Sequence, residues 1–276
     1  MWDTIKDISS QALRQWRPIG LIYFVQLFLG LFVALSAYRQ LNGAIGNSLE
    51  LDRLAKGFDR SIFSDMVSEF PMVISSIQGS FLLAVIAFLI ISIFLHAGLL
   101  GNIKRREYTI STFLSNGKRY FTSFLAIAII AIIKMILTLA IIWIPFVKLI
   151  GDPLETFHSE KPFIQTVVAL IIFSAMLVSV IWLWSVLTRY QKIEGKKLVQ
   201  SMKDGWTQLR LRFFRYFLIA MLFIFIHVIV TWLYTYVVDD WGAESWFCVF
   251  SLLFIQQLFS VIRVFIRTSA YSALDC

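Results

Sequence analysis

The chain has 276 residues, of which 59% are hydrophobic and only 15% charged, with a formal net charge of +8. Water-soluble domains hold about 25% charged residues and cannot hide this much apolar surface, so a soluble globule is excluded. A basic balance would raise nucleic acid as a partner, but no nucleic-acid module is visible and Lys and Arg flank apolar runs. Their counter-ions are expected to be the anionic headgroups of membrane lipids on the cytoplasmic side, with no nucleic acid involved.

The first residues form an amphipathic segment, with Trp2, Ile5, Ile8, Ser9, Ala12, Leu13 and Trp16 at helical spacing. An apolar run from Pro18 follows. It is read as an uncleaved first span over 18–38, with no cleavable signal peptide before it. An external helical loop, about 39–74, comes next. Ser48 can cap a short helix through Lys56. Asp59 can cap a second, with Phe63, Met66, Val67 and Phe70 on one face before Pro71.

Span two is expected over 75–100. A second amphipathic segment then carries Ile110, Phe113, Leu114, Gly117 and Phe121 on one face, with Ser111 as its N-cap. Span three covers 121–147, Gly151-Asp152-Pro153 marks a turn, and span four covers 163–188. A third amphipathic segment lines up Leu198, Met202, Trp206, Leu209 and Phe213. Spans five and six follow at 216–238 and 246–266. Cys248 and Cys276 lie at opposite ends of the last span, so no disulfide is expected.

Lys and Arg in the loops set the orientation. The amino-terminal segment, the loops between spans two and three and between spans four and five, and the carboxyl end hold 18 of the 25 basic residues. Eleven of the 17 acidic residues fall on the other side. Both termini are therefore expected in the cytoplasm, with the chain in the cell (inner) membrane. Aromatic residues such as Tyr38, Trp143, Trp232 and Trp241 at one set of ends, and Trp16, Tyr120, Trp184 and Trp206 at the other, form the expected interfacial belts.

The fold class follows: an all-α membrane protein, a bundle of six transmembrane helices arranged as three helical hairpins, each preceded by a cytoplasmic interfacial amphipathic helix. A small residue after a polar one recurs in each amphipathic segment, at Gln11-Ala12, Asn116-Gly117 and Asp204-Gly205. The single transmembrane domain, 1–276, thereby divides into units 1–100, 101–188 and 189–276. Small residues are expected to pack the spans, at Gly30 with Ala34, along Ser76, Ser80 and Ala84, at Ala97 with Gly101, and at Ala175 with Ser179.

Four polar residues fall inside spans: Lys134, His227, Gln256 and Gln257. Lys134 lies ~20 Å of helix rise from either end of span three. Gln26, Gln78, Gln256, Gln257 and Ser260 are its candidate partners. It would either face a polar cavity or reach lipid phosphate through a tilted span. Arg105, Arg106, Lys118, Arg119, Arg210, Arg212, Arg215, Arg263 and Arg267 are candidate lipid-phosphate anchors. The three histidines, His96, His158 and His227, are far apart in sequence. No metal set, cofactor motif, Walker loop, Gly-x-Ser-x-Gly elbow or intramembrane carboxylate dyad is present, so no enzymatic activity is expected.

The segment Gly98-Leu-Leu-Gly-Asn-Ile-Lys-Arg-Arg-Glu-Tyr-Thr-Ile-Ser-Thr-Phe-Leu-Ser-Asn-Gly-Lys-Arg-Tyr-Phe121 resembles the loop of uncharacterised bacterial six-helix integral membrane proteins. Arg189-Tyr190 and Ser201-Met-Lys-Asp-Gly-Trp206, with the basic run to Arg215, resemble the second such loop of that family. The group is distantly similar to the membrane domain attached to some glycerophosphodiester phosphodiesterases. The resemblance implies a fold and a location, and no reaction. Together these readings favour a non-enzymatic envelope or membrane-organising component, its protein partner unknown. The alternatives are a transporter or permease component with an anion-attracting cavity near Lys134, and a membrane enzyme acting on lipids.

Overall fold

The computed structural model describes residues 10–45, 71–150, 160–239 and 246–275, and every regular element among them is helical. The helices are α1 (Trp16–Ile45), α2 (Pro71–Arg105), α3 (Ile110–Ile150), α4 (Glu160–Ile193), α5 (Leu198–Leu211), α6 (Phe213–Asp239) and α7 (Trp246–Asp275). All but α5 are long and apolar enough to cross a membrane. The chain is thus an all-α, multi-pass membrane protein, with its six long helices at the six expected spans. Hydrocarbon offers no partner for a bare N–H or C=O, so a helix that bonds every peptide group internally is the form these apolar runs must take.

The expected helices between Ser48 and Phe70, the Gly151-Asp152-Pro153 turn, His158, Cys276 and the apolar positions Trp2, Ile5, Ile8 and Ser9 lie outside the described residues. At the edges of these segments, α1 runs on through Arg39 and Gln40 to Ile45, and α2 begins at Pro71. A proline suits a first helical position, where its missing N–H has no partner to lose.

The helices also outrun their apolar spans. With 41 residues, α3 is the longest. That is about 60 Å of rise, roughly twice the hydrocarbon thickness. Its first eleven residues were expected to form a separate interfacial helix, yet they continue unbroken into the span. Nothing interrupts them: Gly117 costs a helix only about 1 kcal/mol, and the one proline, Pro145, sits near the far end. Ser111, expected as the N-cap, lies within the first turn. The other two amphipathic segments do break from their spans. Arg212 adopts φ −124 and ψ 35 between α5 and α6. A turn at Gln15 separates the helical residues 10–14 from α1. There Pro18 removes the N–H that would bond the Arg14 carbonyl.

The chain forms two compact units. One takes its described residues from Met1–Leu95, Tyr108–Ile110 and Phe225–Ser269. Within it, Ser36 Oγ donates to Ser80 Oγ (3.2 Å) and Tyr23 Oη donates to Gln257 Oε1 (2.8 Å), linking α1 to α2 and α1 to α7. Tyr234 and Phe259 stack at 4.2 Å between α6 and α7.

The other unit takes its described residues from His96–Glu107, Ser111–Ile224 and Ala270–Cys276. It holds most of the best-buried side chains, including Leu100, Phe113, Phe124, Leu183, Leu187 and Tyr271. Farther along α3 the apolar residues face outward, with Ile141 73% and Leu149 82% exposed. In lipid such exposure is solvation, and helices associate through close packing and hydrogen bonds instead.

Glycines permit that packing. A Cβ on Gly98 would lie 2.6 Å from the Phe113 carbonyl oxygen. One on Gly205 would lie 2.9 Å from the Thr188 backbone nitrogen. Ala12, Gly117 and Gly205, the three small residues of the amphipathic segments, are all buried. Ala84, Ala97 and Gly101 are also buried, as expected of packing positions, whereas Gly30, Ala34 and Ala175 are exposed. A small residue facing lipid leaves little apolar surface out of place, so small-residue spacing alone does not compel a contact.

Replacing Gly205 with Ala therefore meets backbone that side-chain rotation cannot clear, and should destabilise the protein by about 1–3 kcal/mol. Gly30→Ala, whose new methyl group meets nothing within 4 Å, should be neutral or better. Thermal melting of the two variants in one detergent checks the contrast; equal melting temperatures would contradict the packing.

Candidate functional site

The densest polar arrangement in the described residues forms in the second unit, where α2 and α4 end. Each of these helices stops on a residue with positive φ: Arg106 (φ 54) after α2 and Gly195 (φ 93) after α4. At the first, Glu107 N–H bonds the Asn102 carbonyl (3.0 Å) and Arg106 N–H bonds the Ile103 carbonyl (3.1 Å). This is the Schellman pattern, which satisfies carbonyls that a helix end leaves bare. The side chain on Arg106 makes its left-handed backbone less favourable than glycine would. The next helix begins within four residues in both cases, so α3 folds back on α2 and α5 on α4.

Glycine-sized gaps at these crossings bring polar side chains together. Asn116 Nδ2 donates to Asn102 Oδ1 (3.0 Å) and to Glu107 Oε2 (3.2 Å), with both asparagines buried. A Cβ on Gly101 would lie 2.7 Å from Asn116 Cβ, so only glycine admits the pair. Arg105 Nη2 donates to Tyr120 Oη (2.7 Å), which donates to the Ile193 carbonyl (3.4 Å). Tyr190 Oη donates to the Tyr271 carbonyl (2.8 Å). Gln191 Nε2 donates to Gln208 Oε1 (2.9 Å), and Gln208 Nε2 donates to Tyr216 Oη (2.7 Å).

A charge ladder runs beside these bonds. Lys104 Nζ pairs with Asp275 Oδ1 (2.9 Å) and Glu194 Oε1 (3.1 Å). Lys196 Nζ pairs with Asp204 Oδ2 (2.8 Å), lies 3.9 Å from Glu194 Oε2, and donates to Gln191 Oε1. The ladder joins the ends of α2 and α7 to the α4–α5 turn and to α5. Each pair is partly exposed and worth at most about 1 kcal/mol alone, so its value lies in the shared geometry.

Lys134 meets this unit from one side. Its Nζ lies 3.5 Å from the ring centroid of Trp184, itself buried and donating Nε1–H to the Met202 carbonyl (3.2 Å). Helical side chains lean toward their own N-terminus, which carries the ammonium back toward the α2–α3 turn. Lys134 is otherwise exposed, so this cation–π pair is worth about 0.5–1 kcal/mol against water and about 2 kcal/mol where lipid excludes it. The aromatic partner was not among the amides and hydroxyls the sequence offered.

The other sites expected from sequence are dispersed. Gln257 accepts from Tyr23, as expected of a glutamine turned toward a neighbouring helix, while Gln256 is exposed. His227 is half-buried, and its carbonyl accepts from Thr231 Oγ1 (2.8 Å). The candidate anchors Arg105, Arg106, Lys118, Arg119, Arg210, Arg212, Arg215, Arg263 and Arg267 are all exposed. Among the described residues, no group of three or more His, Cys, Asp or Glu is placed to hold a metal ion.

Sequence reasoning missed Asn102, Glu107, Gln191, Glu194 and Asp275 as members of a site, because residues beyond an apolar run read as solvated loop. The one available signal was the small-residue spacing of Ala97 with Gly101 just before Asn102. No protein-family model matches this chain, and no curated protein or solved structure matches it.

Lys104→Met removes the cation shared by Glu194 and Asp275. The expected result is a loss of about 1 kcal/mol, with faster amide exchange at residues 270–275 than at the middle of α3. Hydrogen–deuterium exchange on the purified protein measures this; unchanged exchange at 270–275 would show that the ladder does not hold the end of α7.

Proposed function

We propose that this chain is a non-enzymatic, membrane-organising component of the cell membrane. In this reading its termini are cytoplasmic, and its basic side chains gather anionic headgroups. The observation that carries it is that all nine candidate anchors are exposed, while the asparagine, tyrosine and glutamine side chains of the second unit bond largely to one another. Each exposed Lys or Arg near an anionic surface contributes about 1 kcal/mol of attraction.

The outward face of α5 supports the same reading. Val199, Trp206 and Leu211 are exposed, and the basic Lys203 and Arg210 are exposed with them. An aromatic ring and aliphatic groups beside basic tips suit a helix lying at headgroup level. The likeness of residues 98–121 to a loop of bacterial six-helix membrane proteins points to the same location. A transporter with an anion-attracting cavity at Lys134 draws less support, because the Trp184 ring already occupies one side of the ammonium at 3.5 Å.

Lipid captured with the protein in polymer nanodiscs tests this directly. The triple variant Arg210→Gln, Arg212→Gln, Arg215→Gln should carry a smaller anionic fraction than wild type, by a factor of about two or more. Lys134→Leu should match wild type. A loss confined to Lys134→Leu would favour the transport reading.

Orientation has its own test. With Cys248 and Cys276 replaced by Ser, a cysteine at Lys203 should react with an impermeant maleimide only after the membrane is opened. Labelling of intact cells or spheroplasts would invert the topology.

A further inference from the structure

The first unit carries a feature that the reading above does not use. An open groove of about 900 Å³ runs along the first half of α1. Gly20, Phe24 and Phe28 line it from α1, Ile91 from α2, and Ile110 from the start of α3. Trp16 and Arg17 stand at one end.

Length, lining and charge each constrain the occupant. From Arg17 to Leu29 the groove follows thirteen residues of α1. That is about 18 Å of rise, close to the ~15 Å depth of one leaflet's hydrocarbon. The walls are apolar side chains along this length, which suits an acyl chain and not a solvated metabolite. The floor is open at Gly20, where an added Cβ would meet nothing within 4 Å.

Positive charge sits only at the Trp16 end. The Arg17 guanidinium lies 5.2 Å from the Trp16 ring centroid, and the Arg14 guanidinium 5.9 Å from that of Tyr108. No acidic residue lines the groove. An aromatic–arginine pair at the mouth of an apolar slot fits a headgroup phosphate above a single chain.

We propose that this groove holds one anionic phospholipid, with its phosphate at Arg17 and an acyl chain along Gly20, Phe24 and Phe28. The site shares the membrane placement of α1 with the reading above, but none of its residues belongs to the exposed anchors of α5 and α6. The two can therefore fail separately.

The test uses the full chain, reconstituted with equal phosphatidylglycerol and phosphatidylethanolamine, extracted into mild detergent and weighed by native mass spectrometry. Wild type should retain one phosphatidylglycerol. Arg17→Gln should lower the phosphatidylglycerol preference about fivefold, one cation's worth of headgroup attraction. Gly20→Leu, which fills the slot, should lose retention of either lipid, while Gly30→Leu should behave as wild type. The Arg210, Arg212, Arg215 triple variant should keep the groove lipid, even if it loses its wider anionic shell.

A photoreactive phosphatidylglycerol provides a second readout that needs no variant to fold. Its chain should crosslink to the peptide containing Phe24 and Phe28. No retained lipid on wild type, retention indifferent to both Arg17→Gln and Gly20→Leu, or crosslinks scattered evenly over the helices would each overturn the site.

Discussion

Two helix crossings in the second unit require backbones to approach closer than any side chain allows. At Gly98 against Phe113 and Gly205 against Thr188, even a methyl group would collide with main-chain atoms. In water, burial of apolar surface would drive such pairs together. In a bilayer that drive is absent, and close contact must come from shape and from hydrogen bonds. Glycine supplies the shape here, and the bonds follow. Asn102 reaches Asn116 beside Gly101, and Gln191 reaches Gln208 one turn along α5 from Gly205. Without the close approach these polar groups would be too far apart to satisfy one another.

The polar cluster and the exposed basic residues divide the work of this region. Lys104 and Lys196 are held by carboxylates, and Lys134 by an indole ring. Each of these cations has a partner within the protein, and Lys134 is exposed as well. Arg210, Arg212 and Arg215 stand exposed, available to lipid. A chain of net charge +8 can thus be cohesive within the membrane and still attract an anionic surface.

The spans were legible in the sequence because an apolar run of about 20 residues has only one stable form in hydrocarbon. Helix ends were harder. α7 continues nine residues past its expected end at 266 to Asp275, because Thr268, Ser269 and Ser272 look like the start of a loop until partners bury them. Burial in a bundle depends on which faces meet, and that is not written in composition. The same limit hid the partner of Lys134: the sequence marked the lysine as unusual, but Trp184 looked like an interfacial anchor until the fold brought the two together. The continuity of α3 was missed for the opposite reason. Its amphipathic start suggested a separate piece, yet no residue there is strong enough to break a helix.

That continuity carries a mechanical consequence. α3 is one unbroken helix, held from Asn116 and Tyr120 through buried Phe124 to the contact of Lys134 with Trp184, and reaching about 24 Å beyond Lys134. A stiff arm magnifies what happens at its base: a tilt of about five degrees at the held half displaces the tip by roughly 2 Å over that length. Adjustments in the packed half of the helix are therefore carried, enlarged, to its opposite end.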